Sequence, residues 1–518
     1  MAAGTAVFLL GVLSASSIFY VLLKLWWKPL RIQRIMRSQG VYGPPSNFIY
    51  GNMIQVMKMK FESMRTSLDI SDHHILPRVN PHIHLWIDKY GKNFIQWNGT
   101  QAQLIVSDPE TIKEILHNRE RAITKIDLGG DARRIFGDGL STSDGEKWAK
   151  ARRIADYAFH GELLKNMMPT MVSCAEAMVE KWKKNDEGKE LDLFEEFKLL
   201  TSDIIAHTAF GSSYLEGKFI FETLSKLSMI LFKNQFKRRI PGFSKLFKTK
   251  DAREGDELEM RMKNSIVSII KKREEKVMSG EADNYGNDFL GLLLKAKNDP
   301  DPRQRISVDD VVDECKTVYF AGQETTNVLL SWTSFLLATH VDWQEEARKE
   351  VFDMFGNTNP TLEGIAKLKI MSMIIKESLR LYPPATPMSR MVKKEVRLGK
   401  LVLPASIQVS ISNIAVHHDT ATWGEDAHEF KPERFSEGTA KDIPSAAYIP
   451  FGLGPRNCVG NILAVNETKI ALSMILQRFS FTISPAYVHA PFQFLTICPQ
   501  HGVQVKIHPL SDHLSTKK

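Results

Sequence analysis

The sequence predicts a mainly α-helical body with a small β-rich part, preceded by an N-terminal transmembrane helix. Three observations lead there. From Leu85 to about Arg390 apolar residues recur at three- and four-residue spacing, the period of a buried helix face. Met391 to Ile414 alternates instead and carries Gly399 and Pro404 as turn signals, the pattern of short strands. Ahead of both, Ala2 to Leu23 is an uncharged, mostly apolar run of 22 residues, and about 20 helical residues cross a hydrocarbon core.

The apolar run is read as an anchor, residues 2–23. The rival reading is a cleaved signal peptide with Ser14-Ala15-Ser16 as its small-residue patch. Against it, no Lys or Arg precedes the run, which continues through Ile18-Phe19-Tyr20-Val21. Lys24, Trp26, Trp27, Lys28, Arg31, Arg34 and Arg37 follow, interfacial aromatics among positive charges, a flank that stays cytoplasmic. Residues 24–45 then form a basic stop-transfer segment ending in the stiff hinge Gly43-Pro44-Pro45. Residues 46–518 form one cytosolic domain. In that topology the sequons at Asn98 and Asn466 never meet the glycosylation machinery.

Within the body, Asp127-Leu128-Gly129-Gly130-Asp131 marks a turn. The clearest helix starts at the capping-box pattern Ser307-x-x-Asp310 and runs without proline to about His340, about 50 Å at 1.5 Å per residue. Its middle, Ala321-Gly322-Gln323-Glu324-Thr325-Thr326, places a glycine and two β-branched residues where good helix formers belong. A second helix runs from about Leu362 to Tyr382 and stops at Pro383-Pro384. A last one begins at about Asn461.

The chain has 518 residues and a formal net charge of +8. Residues 1–60 hold no acid and seven bases, so the remaining chain carries 61 bases against 60 acids. The excess is local, which argues against a nucleic-acid partner. At 43% hydrophobic and 25% charged the composition is globular and excludes disorder, collagen and coiled coil. Cys174, Cys315, Cys458 and Cys498 are too scattered for a disulfide framework, and none forms CxxC, so a reducing compartment is expected.

The strongest local signal is Phe451-Gly-Leu-Gly454-Pro-Arg456-Asn-Cys458-Val-Gly460. A cysteine beside a cation and just ahead of a helix is biased toward thiolate, the metal-ligating form. Glycines on both sides let a flat ligand approach the backbone. Two readings compete: a buried structural cysteine in a turn, or an axial thiolate to haem iron.

The pattern F-x-x-G-x-R-x-C-x-G resembles the haem-binding signature of the cytochrome P450 family, which favours the second. The resemblance extends over nearly the whole chain. It implies the single-domain, mainly helical cytochrome P450 fold, with haem b (iron protoporphyrin IX) held by Cys458. Phe451 then belongs to the haem-binding loop and Arg456 pairs with a propionate. Trp148-x-x-x-Arg152 suits donation to propionates one turn apart, and Arg390 matches a position that contacts the second propionate. Glu377-x-x-Arg380 shares a helix face. With Arg434 of Pro432-Glu433-Arg434-Phe435 it resembles the family's buried structural triad. The central-helix motif resembles the family's oxygen-binding segment: Gly322 leaves room above the cofactor, Thr325 steadies dioxygen and Glu324 relays protons.

The implied reaction inserts one oxygen atom from O2 into a hydrophobic small molecule, with electrons from NADPH-cytochrome P450 reductase and cytochrome b5 as an optional second donor. A basic patch on the haem's proximal side is expected to meet the reductase. The implied setting is the endoplasmic reticulum membrane, crossed once, with the catalytic domain cytosolic. Trp27-Lys28-Pro29, Gln39-Gly40 with Gly43-Pro44, and His417-His418-Asp419 through Phe430 resemble plant members of the clan numbered seventy-two, which oxidise terpenoids, fatty acids and hormones. One departure is Ser406, where many members have glycine. Pocket-lining residues are expected around Ile126–Phe136, Phe320, Ala385–Met388 and Phe494–Leu495.

His73-His74 with His82-x-His84, and His417-His418-Asp419, lack metal-ligand spacing and are read as turn and surface residues. Gly452-x-Gly454 lacks the third glycine of a dinucleotide site, so NADPH is not expected on this chain. Two other function classes stay open: a haem-thiolate isomerase or dehydratase that does not use O2, and a non-enzymatic haem carrier or membrane scaffold. The Glu324-Thr325 pair argues against the first, and the interruption in the longest helix against the second.

Overall fold

The structure, a computed structural model, describes residues 2–47, 49–117, 122–184, 188–235, 249–439, 441 and 443–510. Its helices begin with α1 Ala2–Leu22, α2 Lys28–Arg37, α3 Met53–Ser63, α4 Leu76–Val79, α5 Pro81–Tyr90, α6 Pro109–His117 and α7 Gly130–Phe136. Next come α8 Gly145–Ala158, α9 Gly161–Lys183, α10 Leu193–Phe210, α11 Tyr214–Gln235, α12 Lys250–Met278, α13 Phe289–Lys297 and α14 Val308–Thr339. The last are α15 Val341–Phe355, α16 Leu362–Lys367, α17 Lys369–Leu381, α18 Asn413–His417, α19 Thr420–Trp423 and α20 Asn461–Leu476.

Helix α14 is the axis. Ser307 Oγ accepts the Asp310 N–H at 3.0 Å while Asp310 accepts the Ser307 N–H at 2.8 Å, the reciprocal cap the sequence predicts. The helix is buried over most of its length because α10, α17 and α20 pack around it. The span read as one helix from Leu362 to Tyr382 is two helices, parted at Leu368. The break has a cause outside the span. Glu350 of α15 accepts the N–H groups of Lys369, Ile370 and Met371 at 2.6, 2.8 and 2.9 Å. A carboxylate on three free N–H groups at the positive end of the helix dipole favours starting a new helix there.

Short strands form four sheets. The largest joins β1 Asn93–Asn98, β2 Gln101–Val106, β3 Ile123–Lys125, β5 Met388–Val392 and β8 Gln408–Ile411 in the order β1-β2-β8-β5-β3. The alternation read from Met391 to Ile414 yields β5, the hairpin β6 Val396–Leu398 with β7 Leu401–Leu403, and β8. The others are β4 Glu190–Asp192 with β12 Gln504–Pro509 and β9 Phe479–Ile483, and β10 Pro491–Gln493 with β11 Ile497–Pro499. One apolar core surrounds α14 and a second lies on the five-stranded sheet.

Ser406, flagged in the sequence as standing where glycine is usual, has φ +70°. Among the described residues no other non-glycine has positive φ. Because a side chain in that region costs roughly 1–2 kcal/mol, Ser406→Gly should raise stability by about 0.5–1 kcal/mol in denaturant unfolding. An unchanged or lower midpoint would reject the strain.

The histidines read as turn and surface residues are largely interior. His73, His82, His417 and His418 are all under 6% exposed. Their rings act as flat hydrogen-bonding fillers: His73 Nδ1 meets Tyr382 Oη at 2.8 Å, and His417 Nε2 accepts the Ile449 N–H at 3.0 Å.

Toward the N-terminus α1 is helical through the apolar run. Among the described residues no helix is long and apolar enough to cross a membrane, and several α1 side chains lie outside them. Past α1, Ile32 and Met36 of α2 are buried in the sheet core. Gln39 donates to the Val402 carbonyl at 3.0 Å and accepts its N–H at 2.6 Å.

Candidate active site

Helix α14 is buried over most of Val311 to Phe320 and from Thr326 to Ala338, whereas Ala321 between them is exposed and Gly322, Glu324 and Thr325 are only partly covered. The helix is thus covered on both flanks and open at its centre. A Cβ on Gly322 would stand 2.6 Å from Ile205 Cδ1, so the missing side chain lets α10 pack against the helix. Thr201 of α10 donates to the Gln323 carbonyl at 3.0 Å and fixes the same contact.

Thr325 Oγ1 donates to the Ala321 carbonyl at 2.6 Å, which occupies its hydrogen and leaves its lone pairs free. Glu324 Oε1 accepts from Thr496 Oγ1 at 2.9 Å, and burial pushes its carboxyl pKa above the usual range. The other oxygen of the carboxyl is not engaged by Thr496. Thr496 bridges to Ala385, and Met388 Sδ would stand 3.6 Å from a Cβ on Gly452. The Ala385–Met388 segment thus connects the opening in α14 to the cysteine loop. Phe136 and Phe320 meet edge-to-face at 5.0 Å, and Phe494 meets Phe232 at 5.1 Å.

In the cysteine loop the Cys458 N–H donates to the Phe451 carbonyl at 2.8 Å. Gly454, at φ +73°, lies so close to α6 that a Cβ would stand 2.5 Å from the Leu116 carbonyl. Cys458 is exposed and still deep: burial pushes its thiol pKa up, against the Gly460 amide and the charge of Arg152. The expected bias toward thiolate is outweighed here by desolvation, and a bound metal cation would reverse it by deprotonating the thiol outright.

The basic residues divide into braces and an unbalanced cluster. Arg152 donates to the Asn457 carbonyl at 2.6 Å and to Asn457 Oδ1 at 2.8 Å, and pairs with Asp156 at 2.9 Å, so it braces the loop. Arg456 donates to the Ser143 carbonyl at 2.8 Å, pairs with Asp144, and lies 4.0 Å over the Trp148 ring. Arg390, on β5, is 8% exposed and donates to the Ser389 carbonyl at 2.9 Å. Directly across the ladder from it stands Lys125 of β3.

Burial, then Arg390 and Arg456, lowers Lys125 to about 7. Burial above all lowers Arg456 to about 10. Like charges opposed on neighbouring strands are destabilising, and Asp144 is the acid that offsets all three. Arg390 and Arg456, with Lys125 beside them, leave this cluster with more positive than negative charge. A ligand carrying carboxylates, as haem does, would balance it, so the residues present fit the group.

Lys125, Asp144 and Thr496 were not singled out in the sequence. Lys125 sits one residue before the expected pocket segment, but its partner Arg390 is 265 positions away, and strand pairing across that distance leaves no local pattern. The structural triad is brought together on α17. Arg380 Nε and Nη2 donate to the two Glu377 oxygens, each at 2.7 Å, and Arg434 Nε lies 3.6 Å from Glu377 Oε1. Both Glu377 and Arg380 are 0% exposed.

A family profile described as Cytochrome P450 matches residues 80–507. The chain is 50% identical over 489 residues to "Cytochrome P450 CYP749A22" of Panax ginseng, covering 94% of this chain and 93% of that one. It is 42% identical over 498 residues to "11-oxo-beta-amyrin 30-oxidase" of Glycyrrhiza uralensis, covering 94% of each. To "Secologanin synthase 1" of Catharanthus roseus it is 39% identical over 490 residues, covering 93% of each. Among solved structures, a cytochrome P450DA heme domain superposes with a TM-score of 0.72 at 26% identity, covering 82% of this chain and 90% of that one. The fold, the cofactor haem, a redox partner that supplies electrons, and a small-molecule substrate all follow from this likeness. The excess positive charge beside the cysteine loop thus has its explanation, and the chain belongs to the cytochrome P450 family as a haem-thiolate monooxygenase.

Proposed function

We propose that the protein oxidises a terpenoid, with hormones and fatty acids as the other hydrophobic classes its pocket admits. Support comes from relatives named as a β-amyrin-type oxidase and as secologanin synthase, and from the apolar rings of Phe136, Phe320 and Phe494. The observation that carries the chemistry is the opening in α14, where a free hydroxyl lone pair on Thr325 neighbours the Glu324 carboxyl, whose pKa burial raises.

When bound, haem ligated by a thiolate supplies oxygen activation. Cys458 would be the ligand. Arg456, Arg390, Trp148 and the added Lys125 would hold the propionates, while Arg152 keeps the loop in shape and Phe451 anchors it. Glu324 would supply protons and Thr325 Oγ1 would accept or relay them. Glu377, Arg380 and Arg434 are structural. This assignment favours monooxygenation over O2-independent isomerisation or dehydration, which needs no proton relay.

Removing a positioned proton-transfer group costs about 10²–10⁴-fold at most, so Thr325→Ala should lower product formed per NADPH by ~10-fold while NADPH consumption continues. Full coupling in that variant would reject the role. Co-expression with a reductase and feeding of a triterpenoid panel should yield a product heavier by one oxygen atom. No such product from the terpenoid, hormone and fatty-acid pools would reject the substrate class.

We read residues 2–23 as a single-pass anchor in the endoplasmic reticulum membrane, 24–45 as its basic cytosolic flank and hinge, and 46–518 as one cytosolic catalytic domain. Cytochrome b5 is a second electron donor in that setting. The acid-free first 60 residues and the exposed Trp26 and Trp27 support this. Asn98 is exposed, whereas the sequon at Asn466 lies in α20 with Thr468 fully buried. Asn98 is therefore the informative site, and a glycosidase-sensitive mass shift there would reverse the topology.

A further inference from the structure

Helices α9 and α10 hold a second constellation, far in sequence from the cysteine loop. Cys174 of α9 is 8% exposed. Asp203 and His207 lie four residues apart on α10 and so share a face. Their ligand atoms and the Cys174 sulfur all lie within 4.8 Å of one another. His207 Nε2 stands 3.4 Å from Asp203 Oδ1, the edge length of a tetrahedron with metal–ligand bonds of about 2.0–2.2 Å. The three line a pocket open to solvent, walled by Pro169, Ser173 and Ala177. Behind Cys174 stands Glu467 of α20, 3% exposed, with an Oε1 that has no hydrogen-bond partner. It is near enough to help raise the Cys174 thiol pKa, along with burial and Asp203.

We propose that Cys174, Asp203 and His207 form a zinc site, with solvent as the fourth ligand through the open side of the pocket. A mixed thiolate, imidazole and carboxylate set in tetrahedral reach suits zinc, and poorly suits the oxygen-seeking magnesium and calcium. Binding replaces the Cys174 thiol proton, which leaves to solvent, so affinity rises with pH. The ion ties α9 to α10, and α10 is the helix seated on Gly322 and bonded to Gln323. Zinc therefore stiffens the support of the α14 opening from α9 and α10.

The test uses the full-length, tag-free, haem-loaded protein, stripped with a chelator and dialysed against micromolar zinc. One zinc per chain should be retained, Tm should rise, and X-ray absorption at the zinc edge should show one sulfur at about 2.3 Å with nitrogen and oxygen at about 2.0–2.2 Å. Because losing even a supporting contact costs about 10–100-fold in metal affinity, Cys174→Ser and His207→Ala should each weaken binding by ~100-fold or more, and Cys315→Ser should not. Haem content and the thiolate-type spectrum of the ferrous carbon-monoxide complex report that each variant is folded. Should a variant fail to load haem, alkylation of the unaltered chain decides, since zinc must protect Cys174. No zinc retained, zinc without sulfur, full retention in both variants, or equal alkylation with and without zinc would each overturn the site.

Discussion

Glu377→Ala should cost about 3–5 kcal/mol of stability, because it strands a guanidinium that is 0% exposed. Globular domains are stable by only about 5–15 kcal/mol, so the expected result is a chain that loads little haem and unfolds at much lower denaturant. The loss spreads beyond the pair. Glu377 Oε1 also accepts the Lys431 N–H at 3.0 Å, so the loop carrying Arg434 loses its tether. The usual remedy of replacing both partners with apolar residues should fail here. Arg380 Nη1 donates to the carbonyls of His417 at 2.9 Å and Ala427 at 2.6 Å, and these would be left buried without a donor. Glu377→Leu with Arg380→Met is therefore expected to stay destabilised by more than about 2 kcal/mol. Stability of Glu377→Ala within about 1 kcal/mol of the parent would show that the pair behaves as a surface bridge.

Acid should destabilise the protein steeply below pH 6.5. His73 and His417 are held down to about 3 and His489 to about 4, in each case chiefly by burial, and His82 and His418 are lowered well below the usual imidazole value for the same reason. Each is under 6% exposed. The unfolded chain binds these protons at about 6.5 while the folded chain refuses them, so their stabilising contribution is complete above 6.5 and declines as pH falls toward 4. Buried carboxyls act in the opposite sense. Glu314 is raised to about 7, and Glu324 and Glu467 are raised as well, all mainly by burial. These three take up protons in the folded state first and so add stability as pH falls to about 4.5.

The lowered imidazoles outnumber these carboxyls, so net stability should fall as pH drops from about 6.5 toward about 4.5. Below that window the carboxyl offset ends and the loss steepens. Denaturant unfolding at intervals from pH 7 to pH 5 measures it directly. A flat profile would mean that the imidazoles are already protonated in the folded chain.

What could be read from the sequence was what neighbours along the chain determine. The capping box of α14 and the spacing of Glu377 to Arg380 lie within four residues, and the cysteine loop within ten, so their chemistry is written contiguously. What could not be read depends on distant partners. The break at Leu368 is set by Glu350, the raised carboxyl pKa of Glu324 by burial, and the charge imbalance by Lys125 facing Arg390. The fit of Gly322 is set by Ile205. The histidines failed for the same reason: spacing says nothing about a ring that pairs with Tyr382 or Ile449 across the core.

The contact of Gly322 with Ile205 has an evolutionary consequence. With α10 pressed against its back and Thr201 fastened to Gln323, the central turn of α14 has no room to retreat. A lineage selecting for bulkier substrates could not gain space by shifting that helix. Volume must come from trimming side chains on the opposite walls, with Phe136 and Phe494 the first to shorten. Divergence among descendants of this chain should accordingly gather in the loops and leave the helix unchanged.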